Sequence, residues 1–341
     1  MRVYITGATG FIGRHVVQRL RRAGLEVRCL VRNIDKAKFL IDLGAEVVQG
    51  DVTNRATVAV SMQGCDAVVH LANVYSMWLL KGDEFERVNI TGTRSVVECA
   101  CDMRVEKFVY VSTVAVYGVP EERPFTETSA PGKRMLSRYA RSKAEGNRIA
   151  WRVASERNLP LVVLYPGIVL GAGDDKASGQ YIQDIIFRRV PSTIFHSSKA
   201  VYVYVEDLAE CIYQALVRSE AAGQRYLIGR ECLDGKSYAQ LIGSVAGVKL
   251  PWFHFPDPIV ILASYLFSAI ARVLQRSPWW GLSVDAAWTL SKGFVFDGSK
   301  AERELGITYT PIKVALEEAV RFYRQRALGR LPGNTDLSKH Q

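Results

Sequence analysis

Short apolar runs alternate with helical patterns along the first two thirds of the chain. The runs are four to six residues long and lie at 3–6, 26–31, 46–49, 67–70, 107–112 and 161–165. Runs that are apolar nearly throughout are typical of parallel strands covered on both faces. Between them, apolar residues recur at helical spacing at 11–23, 36–43, 55–62, 84–102 and 136–157. The alternation predicts the α/β class, with a doubly wound parallel sheet and right-handed crossovers.

The regular alternation of strand and helix patterns ends at about residue 166. From there the pattern predicts short strands at 201–205 and 225–228 and helices at 237–246, 258–274, 283–290 and 311–326. We therefore predict a sheet domain at 1–166 with later returns from about 201–228, and a smaller C-terminal lobe at 167–328. The end of the chain, 329–341, is polar and is predicted to be a frayed tail.

Composition excludes several classes of protein. Of the 341 residues, 48 % are hydrophobic and 23 % are charged, which is ordinary for a globular protein and excludes disorder, collagen-like repeats and disulfide scaffolds. The six cysteines are scattered without zinc-ligand spacing, so we expect no metal and a reducing compartment. The chain begins directly with a strand and shows no signal-peptide layout, which favours a cytoplasmic location.

Basic residues exceed acidic ones by 44 to 34, a formal net charge of +10. This balance permits contact with nucleic acid, anionic lipid or a phosphorylated ligand without choosing among them. The basic residues are dispersed and no motif of a nucleic-acid reader is present, so we expect no nucleic-acid partner. A basic surface that is simply solvated is the alternative.

The first strand ends in a glycine turn that opens a helix. Gly7, Gly10 and Gly13 have the spacing G-x-x-G-x-x-G. The first glycine allows a tight turn, the second lets backbone approach a pyrophosphate, and the third lets the helix pack close to the strand. The positive end of the helix dipole then faces the phosphates. We predict a dinucleotide site here, formed by the glycines with Thr9, Phe11 and Ile12, and the alternative is a plain tight turn.

Tyr139 and Lys143 lie four residues apart in a helical stretch, so they share one face. A free tyrosine has a pKa of about 10, and a nearby ammonium favours the phenolate and lowers that pKa. The pair can exchange a proton with a substrate oxygen while hydride moves to or from a nicotinamide ring. The same spacing also occurs by chance on amphipathic helices.

Several further motifs follow in order along the chain. They are Gly-Asp-Val-Thr at 50–53, His-Leu-Ala-Asn at 70–73, Asn-Ile-Thr-Gly-Thr at 89–93, Val-Ser-Thr-Val-Ala-Val-Tyr-Gly at 111–118, Tyr-Ala-Arg-Ser-Lys at 139–143, Pro-Gly-Ile-Val at 166–169 and Tyr-Val-Glu-Asp-Leu-Ala at 204–209. With the glycine turn, they resemble the extended short-chain dehydrogenase/reductase family, also called the NAD-dependent epimerase/dehydratase family. The resemblance covers about residues 1–325 and implies a Rossmann-type domain.

The resemblance also implies roles for individual residues. The implied cofactor-binding residues beyond the glycine turn are Asp51, Val52, Leu71, Ala72, Asn73, Asn89, Pro166, Gly167 and Val169, together with Tyr139 and Lys143. Thr113 matches the family's catalytic hydroxyl beside Tyr139, and its neighbour Ser112 is the alternative. Family analogy further implies a possible homodimer packed through the helices at 84–102 and 136–157.

The end of the second strand bears on the choice of cofactor. NAD-specific sites usually place an Asp or Glu there, but residues 29–33 contain neither. Arg32 can instead contact a 2′-phosphate through a charge-assisted hydrogen bond, and Arg14 can add charge. We therefore predict NADP rather than NAD, which stays possible, and the alternative for Arg32 is a solvated surface arginine.

Three departures from the family pattern bear on the substrate. Ile168 stands where many sugar-nucleotide enzymes have an Asn that contacts the diphosphate, and Ala200 stands where they often have an Arg. Val114 and Ala115 replace the Asp-Glu pair of dehydratases. The resemblance is therefore to the dihydroflavonol 4-reductase and 3β-hydroxysteroid dehydrogenase branches. It implies interconversion of a secondary alcohol and a ketone on a largely apolar, steroid-, flavonoid- or terpenoid-like substrate. A sugar-nucleotide epimerase and a non-catalytic NADP-binding sensor are the alternatives.

The C-terminal lobe contains an uncharged segment at 259–271, followed by Arg272, Arg276, Trp279 and Trp280. An apolar, aromatic lobe suits an apolar substrate. The uncharged segment is too short to span a bilayer, which needs about 20 residues. The segment 258–280 is therefore predicted to contain either a buried helix of the small lobe or a helix that lies at a membrane surface.

Overall fold

A seven-stranded parallel sheet forms the centre of the fold. The structure is a computed structural model that describes residues 1–80 and 83–329. The strands are β1 (Arg2–Thr6), β2 (Glu26–Val31), β3 (Glu46–Gln49), β4 (Ala67–His70), β5 (Lys107–Val111), β6 (Leu161–Pro166), β7 (Ile168–Leu170), β8 (Lys199–Tyr204), β9 (Arg225–Ile228) and β10 (Glu231–Asp234). The large sheet has the order β3-β2-β1-β4-β5-β6-β9, so the strand order reverses between β1 and β4. Ligands of open α/β sheets bind at such a reversal, at the carboxyl ends of the strands.

Helices cover both faces of this sheet. They are α1 (Phe11–Arg22), α2 (Lys38–Asp42), α3 (Arg55–Met62), α4 (Thr93–Asp102), α5 (Arg138–Arg157), α6 (Ala177–Ile186), α7 (Val205–Val217), α8 (Gly235–Ala246), α9 (Asp257–Val273), α10 (Val284–Lys292), α11 (Ser299–Leu305) and α12 (Ile312–Ala327). One core contains Tyr4 and Phe108 from the sheet with residues of α3, α4 and α5. The opposite core contains Val3 and Ile5 with residues of α1, α7 and α11. Burial on both faces explains why the central strands β4, β5 and β6 are largely apolar, whereas the edge strand β3 has exposed polar residues at both ends.

The predicted doubly wound sheet is confirmed. All six strands expected in the first part of the chain are present, and β9 adds a seventh from the late segment. The small lobe holds a second sheet of order β10-β8-β7, covered by α6, α8 and α12. The proposed division of the chain at residue 166 stays a prediction. The predicted tail lies outside the described residues, apart from Gly329.

Several elements differ from the sequence prediction. The pattern missed β7 and β10 because they are only three and four residues long. It also missed α6, α7 and α11. Helix α7 follows β8 without a loop, so the apolar residue at its start was included in the predicted strand. The helix predicted at 84–102 is divided into a π-helical segment, Phe85–Gly92, and α4. The helix predicted at 36–43 is a 3₁₀ turn followed by the short α2. None of the helices within the two described ranges is long and apolar enough to cross a bilayer.

Candidate active site

In the turn after β1, two of the three glycines pack closely against backbone atoms, and the third is exposed to solvent. Gly7 has a φ of +78°, and a Cβ there would lie 2.6 Å from the Ala72 nitrogen. A Cβ on Gly13 would lie 2.2 Å from the Gly7 carbonyl oxygen. Gly10 is exposed, and a Cβ there would meet only that same oxygen, at 3.3 Å. The backbone at Gly10 is therefore accessible to a ligand.

This turn fits the diphosphate of a dinucleotide. Gly10 is the N-cap of α1, and no side chain caps the helix. The first N–H groups of α1 are therefore available to an anion, and the helix dipole favours negative charge there. Thr9 precedes the cap, and Phe11 and Ile12 form the first helical positions.

The other predicted cofactor residues follow β3, β4 and β6 at the carboxyl edge of the sheet. Asp51 and Val52 follow β3, and Leu71, Ala72 and Asn73 follow β4. Pro166 is the last residue of β6, Gly167 lies between β6 and β7, and Val169 lies within β7. The Ala72 N–H donates to the Thr6 hydroxyl at 3.3 Å, which anchors the β4 segment to β1. Gly167 serves packing, since a Cβ there would lie 2.3 Å from the Val201 carbonyl oxygen.

Tyr139 and Lys143 occupy the start of α5, next to the end of β5. The Ser137 hydroxyl caps this helix by accepting the Ala140 N–H at 3.1 Å. Tyr139 is 6 % exposed and Lys143 is 1 % exposed. Thr113, two residues after β5, lies close enough to hydrogen-bond the Tyr139 side chain. The structure thus brings together three residue types that proton transfer to a carbonyl requires.

The charge state of Tyr139 differs from the sequence expectation. Burial raises the pKa of Tyr139, and the nearby Tyr75 and Tyr110 raise it further, while the hydrogen bond with Thr113 acts in the opposite direction. The expected lowering of this pKa by Lys143 is wrong for this structure. The Lys143 ammonium donates to the Val111 carbonyl oxygen at 3.1 Å and lies 4.5 Å from the centre of the Tyr110 ring. Tyr139 therefore holds its proton at neutral pH.

The buried Lys143 makes the free energy of unfolding depend on pH. Burial lowers its pKa from 10.5 to about 7. Between those values the unfolded chain binds more protons than the folded one, so this lysine makes stability rise with pH from about 7 upward. We expect Lys143→Met, which keeps the apolar stem, to be more stable than the wild type below pH 7. The difference shrinks as the pH rises towards 10.

Urea unfolding of the cofactor-free protein at several pH values between 6 and 9.5 checks this expectation. The matched control is Lys236→Met, because Lys236 is exposed. Its stability difference from the wild type should not change with pH. A Lys143→Met difference that is equally flat would show that the buried ammonium is not destabilising.

A buried hydrogen-bond chain, to which sequence reasoning gave no role, ties β1 and β4 to α4. The Thr93 hydroxyl gives its proton to the Asn89 carbonyl at 2.8 Å. It therefore accepts from His70 Nε2 at 3.1 Å, and His70 Nδ1 accepts from the Thr6 hydroxyl at 2.7 Å. Burial, with a smaller effect of Lys143, lowers the pKa of His70 to about 3, so the ring is neutral. The only signal in the sequence is a histidine at the end of an apolar strand.

Asn89 is buried and has structural hydrogen bonds. Its Oδ1 accepts the Val74 N–H at 2.7 Å, and its Nδ2 donates to the Val74 carbonyl and to the Ser142 hydroxyl. Ser142 donates in turn to the Tyr139 carbonyl at 2.8 Å. Asn89 therefore holds the segment after β4 against α5, and its role in cofactor binding stays a prediction. The π-helical segment that carries Asn89 directs its side chain to these partners.

Aromatic rings enclose Tyr139. The Tyr75 ring meets it edge to face, with centroids 5.0 Å apart, and the Phe85 ring lies 6.4 Å away. Tyr75 belongs to the irregular segment after β4, and the Ser283 hydroxyl anchors this segment by donating to the Met77 carbonyl at 2.6 Å. Sequence reasoning missed Tyr75, since no periodic pattern marks an irregular segment. The surroundings of the phenol are thus apolar.

Two arginines, Arg32 and Arg14, are predicted to contact the cofactor near its ribose 2′-position. Arg32 is exposed directly after β2. Arg14 lies in the first turn of α1, with its guanidinium 5.8 Å from the centre of the Phe39 ring. Burial lowers the pKa of Arg14, and its Nε has no hydrogen-bond partner among the described residues. The nearby Asp175 carboxylate acts in the opposite direction on this pKa, so the Arg14 charge is partly balanced within the protein.

Comparison with known proteins gives consistent findings. The model of the NAD dependent epimerase/dehydratase family matches residues 3–229. A Synechocystis protein with the provisional name dihydroflavonol 4-reductase is 28 % identical over 328 residues, which cover 94 % of each protein. The ceramide reductase of Caulobacter vibrioides is 30 % identical over 342 residues, which cover 97 % of this chain and 96 % of that protein.

Among solved structures, the UDP-glucuronic acid 4-epimerase of Bacillus cereus, in complex with UDP-glucuronic acid and NAD, has a TM-score of 0.77. It is 21 % identical, and the match covers 96 % of this chain and 100 % of that one. At this identity the likeness concerns the fold. The Rossmann-type fold and the resemblance to the family, including its dihydroflavonol reductase branch, are confirmed.

Proposed function

Because the chain belongs to the NAD dependent epimerase/dehydratase family, we propose that it uses NADP to interconvert a ketone and a secondary alcohol on a largely apolar substrate. It is an enzyme of the short-chain dehydrogenase/reductase class. One observation carries the proposal: a protonated phenol, Tyr139, lies beside the Thr113 hydroxyl and is enclosed by aromatic rings. This arrangement can protonate the oxygen of a ketone, and the rings of Tyr75 and Phe85 present apolar surface beside that proton.

The proposed roles follow from this geometry. In ketone reduction, Tyr139 donates its proton to the substrate oxygen, and Thr113 orients that oxygen by a hydrogen bond. The nicotinamide group of the cofactor supplies the hydride when it is bound. In this proposal Lys143 would hold the nicotinamide ribose, and the turn at Gly10 would hold the diphosphate. In the direction of alcohol oxidation, Tyr139 must first lose its proton, which its raised pKa disfavours at neutral pH.

Two further observations support an apolar substrate over a sugar nucleotide. Ile168 and Ala200 lie in β7 and β8 and present no polar side-chain group to a diphosphate. The relative from Caulobacter vibrioides is named a ceramide reductase, and ceramide is a lipid. NADPH oxidation measured across lipophilic ketones tests the proposal. UDP-sugars are the comparison, and their conversion to epimers is followed by chromatography because epimerisation consumes no cofactor. Turnover of a UDP-sugar without turnover of any lipophilic ketone would support the epimerase alternative.

The two candidate hydroxyls after β5 can be separated. Ser112 is buried beside the Tyr110 side chain, whereas Thr113 is partly exposed beside Tyr139. We expect Thr113→Val to lower kcat/KM about a hundredfold, the typical cost of a lost hydrogen bond to a reacting oxygen. Ser112→Ala should stay within about threefold of the wild type, since its hydroxyl interacts with Tyr110 and not with Tyr139. Steady-state kinetics check both, and the reverse order would assign the role to Ser112.

The preference for NADP rests on Arg32. Its exposed position after β2 allows contact with a 2′-phosphate, and Arg14 adds charge nearby. We expect Arg32→Glu to lower kcat/KM for NADPH about thirtyfold while kcat/KM for NADH changes little, because a charged hydrogen bond is lost. Arg22→Glu at the exposed end of α1 makes the same charge change and should leave both values unaltered. A wild-type enzyme that prefers NADH would contradict the assignment.

The homodimer through the helical regions 84–102 and 136–157 remains part of the proposal by family analogy alone.

A further inference from the structure

Helix α9 exposes an apolar stripe to solvent. Ile259, Leu262, Leu266, Ala269 and Val273 follow one another at helical spacing, and all five are exposed. Leu262 is 72 % exposed and Val273 is 81 % exposed. A surface helix of a globular protein normally turns such a stripe towards the core. This stripe is therefore available for another apolar surface.

The inward face of α9 is more polar than its outward face. Ser264 and Ser268 are buried, and the Ser268 hydroxyl accepts the Val284 N–H of α10 at 3.1 Å. The apolar core beneath the helix is small, with Phe195, Val260 and Ala287 as its buried members. The helix α9 is therefore buried on one face only. The large apolar side chains of α9 lie mainly on the face exposed to solvent.

Aromatic side chains extend the stripe at both ends. Trp252, which precedes α9, is 95 % exposed, and Trp279 and Trp280, which follow it, are also exposed. Both C-terminal tryptophans pack on Phe267 of α9, with centroids 5.4 and 6.0 Å apart. Tryptophan is enriched at membrane–water interfaces, where its ring is apolar and its N–H can remain hydrated.

The charges around the stripe identify the surface that fits it. No Asp or Glu occurs between residues 258 and 284, whereas Arg272 and Arg276 are both exposed there. A second copy of this face would bring like charges together across a two-fold axis, which is unfavourable. An anionic lipid surface is complementary to it, and the chain carries a net charge of +10.

We propose that α9 and the flanking tryptophans dock the protein on an anionic lipid bilayer, with the helix lying in the interface. Apolar side chains would enter the boundary between headgroups and acyl chains, while Arg272 and Arg276 contact lipid phosphates. The docked face connects to the candidate active site, because Ser283 holds the segment of Tyr75 and Asp285 accepts the Arg138 N–H at 2.8 Å.

The test is co-sedimentation of the full chain with vesicles. Vesicles of phosphatidylcholine with phosphatidylglycerol should bind the wild type, and pure phosphatidylcholine vesicles should bind it much more weakly. The double variant Leu262→Asp with Leu266→Asp should lose about a hundredfold in partition coefficient, because two buried apolar contacts are replaced by charges. The variant Arg272→Glu with Arg276→Glu should lose about tenfold on anionic vesicles.

A control variant separates docking from general surface charge. Ile41→Asp with Val60→Asp makes the same change at two exposed apolar residues of α2 and α3 and should bind like the wild type. Brominated lipids should quench the tryptophan fluorescence of the wild type. The proposal is overturned if the wild type does not bind anionic vesicles, or if the double leucine variant binds equally well. It is also overturned if that variant turns a wild-type dimer into a monomer in sedimentation velocity. The readout is binding without turnover, so it stands or fails independently of the proposed function.

Discussion

Replacement of Tyr139 by Phe should lower kcat about a thousandfold, because it removes the proton donor and leaves the ring in place. The phenol is buried, and its raised pKa keeps it protonated at neutral pH, so the hydroxyl proton is the one available for the substrate oxygen. Affinity for NADPH, measured by fluorescence titration, should change less than about threefold, since the substitution keeps the ring and leaves the glycine turn and Lys143 unaltered.

The matched control is Tyr213→Phe. Tyr213 lies on α7, where the Arg19 guanidinium stacks on its ring at 3.8 Å, on the opposite face of the sheet from α5. It should keep wild-type turnover. A Tyr139→Phe enzyme with near-normal kcat and an unchanged melting temperature would reject the proposed role of this phenol.

Two alanine substitutions in the glycine turn should both weaken NADPH binding, but only one of them should lower the free energy of unfolding. At Gly13 the new Cβ would lie 2.2 Å from the Gly7 oxygen and 2.7 Å from the Ala8 Cα, and both neighbours are backbone atoms. We expect Gly13→Ala to lower the free energy of unfolding by about 3 kcal/mol and to abolish measurable NADPH binding, because the turn must open. Chemical unfolding of the cofactor-free protein measures the first effect.

Gly10→Ala is the matched variant. The backbone there has a φ of −75° and a ψ of 172°, which any residue adopts, and the new Cβ would meet a single protein atom at 3.3 Å. We expect the unfolding free energy to change by less than about 1 kcal/mol. NADPH affinity should fall more than about thirtyfold, because a methyl group would stand where the diphosphate approaches. Wild-type affinity in Gly10→Ala would mean that the cofactor does not cross the turn at this residue.

Local patterns accounted for much of the fold. Strands that are covered on both faces are rich in apolar residues, so the six strands of the first part of the chain could be predicted from short apolar runs, even where the edge strand β3 is partly exposed. The glycine spacing predicted the turn for a similar reason, since Gly7 and Gly13 are required by contacts within a few residues of the chain or with the adjoining strand segment. Short strands such as β7 carry too few residues to show a period, and they were missed.

The sequence by itself determined that Tyr139 and Lys143 share one helical face, because residues four apart in a helix must do so. Only the tertiary structure decided what surrounds them. The pKa of Tyr139 depends on burial and on Tyr75, and the direction of the Lys143 ammonium depends on the Val111 carbonyl at the end of β5.

For α9 and Asn89, too, the sequence determined one part and the tertiary structure decided the other. The sequence determined that α9 is apolar, whereas the structure decided that its apolar stripe is exposed and that its serines face the protein. Asn89 was recognised by its motif, but its partners come from the segment after β4 and from α5. The physical reason is the range of the interactions: helical and strand periods arise between near neighbours in the chain. Burial, electrostatic environment and exposure depend on which distant segments pack together.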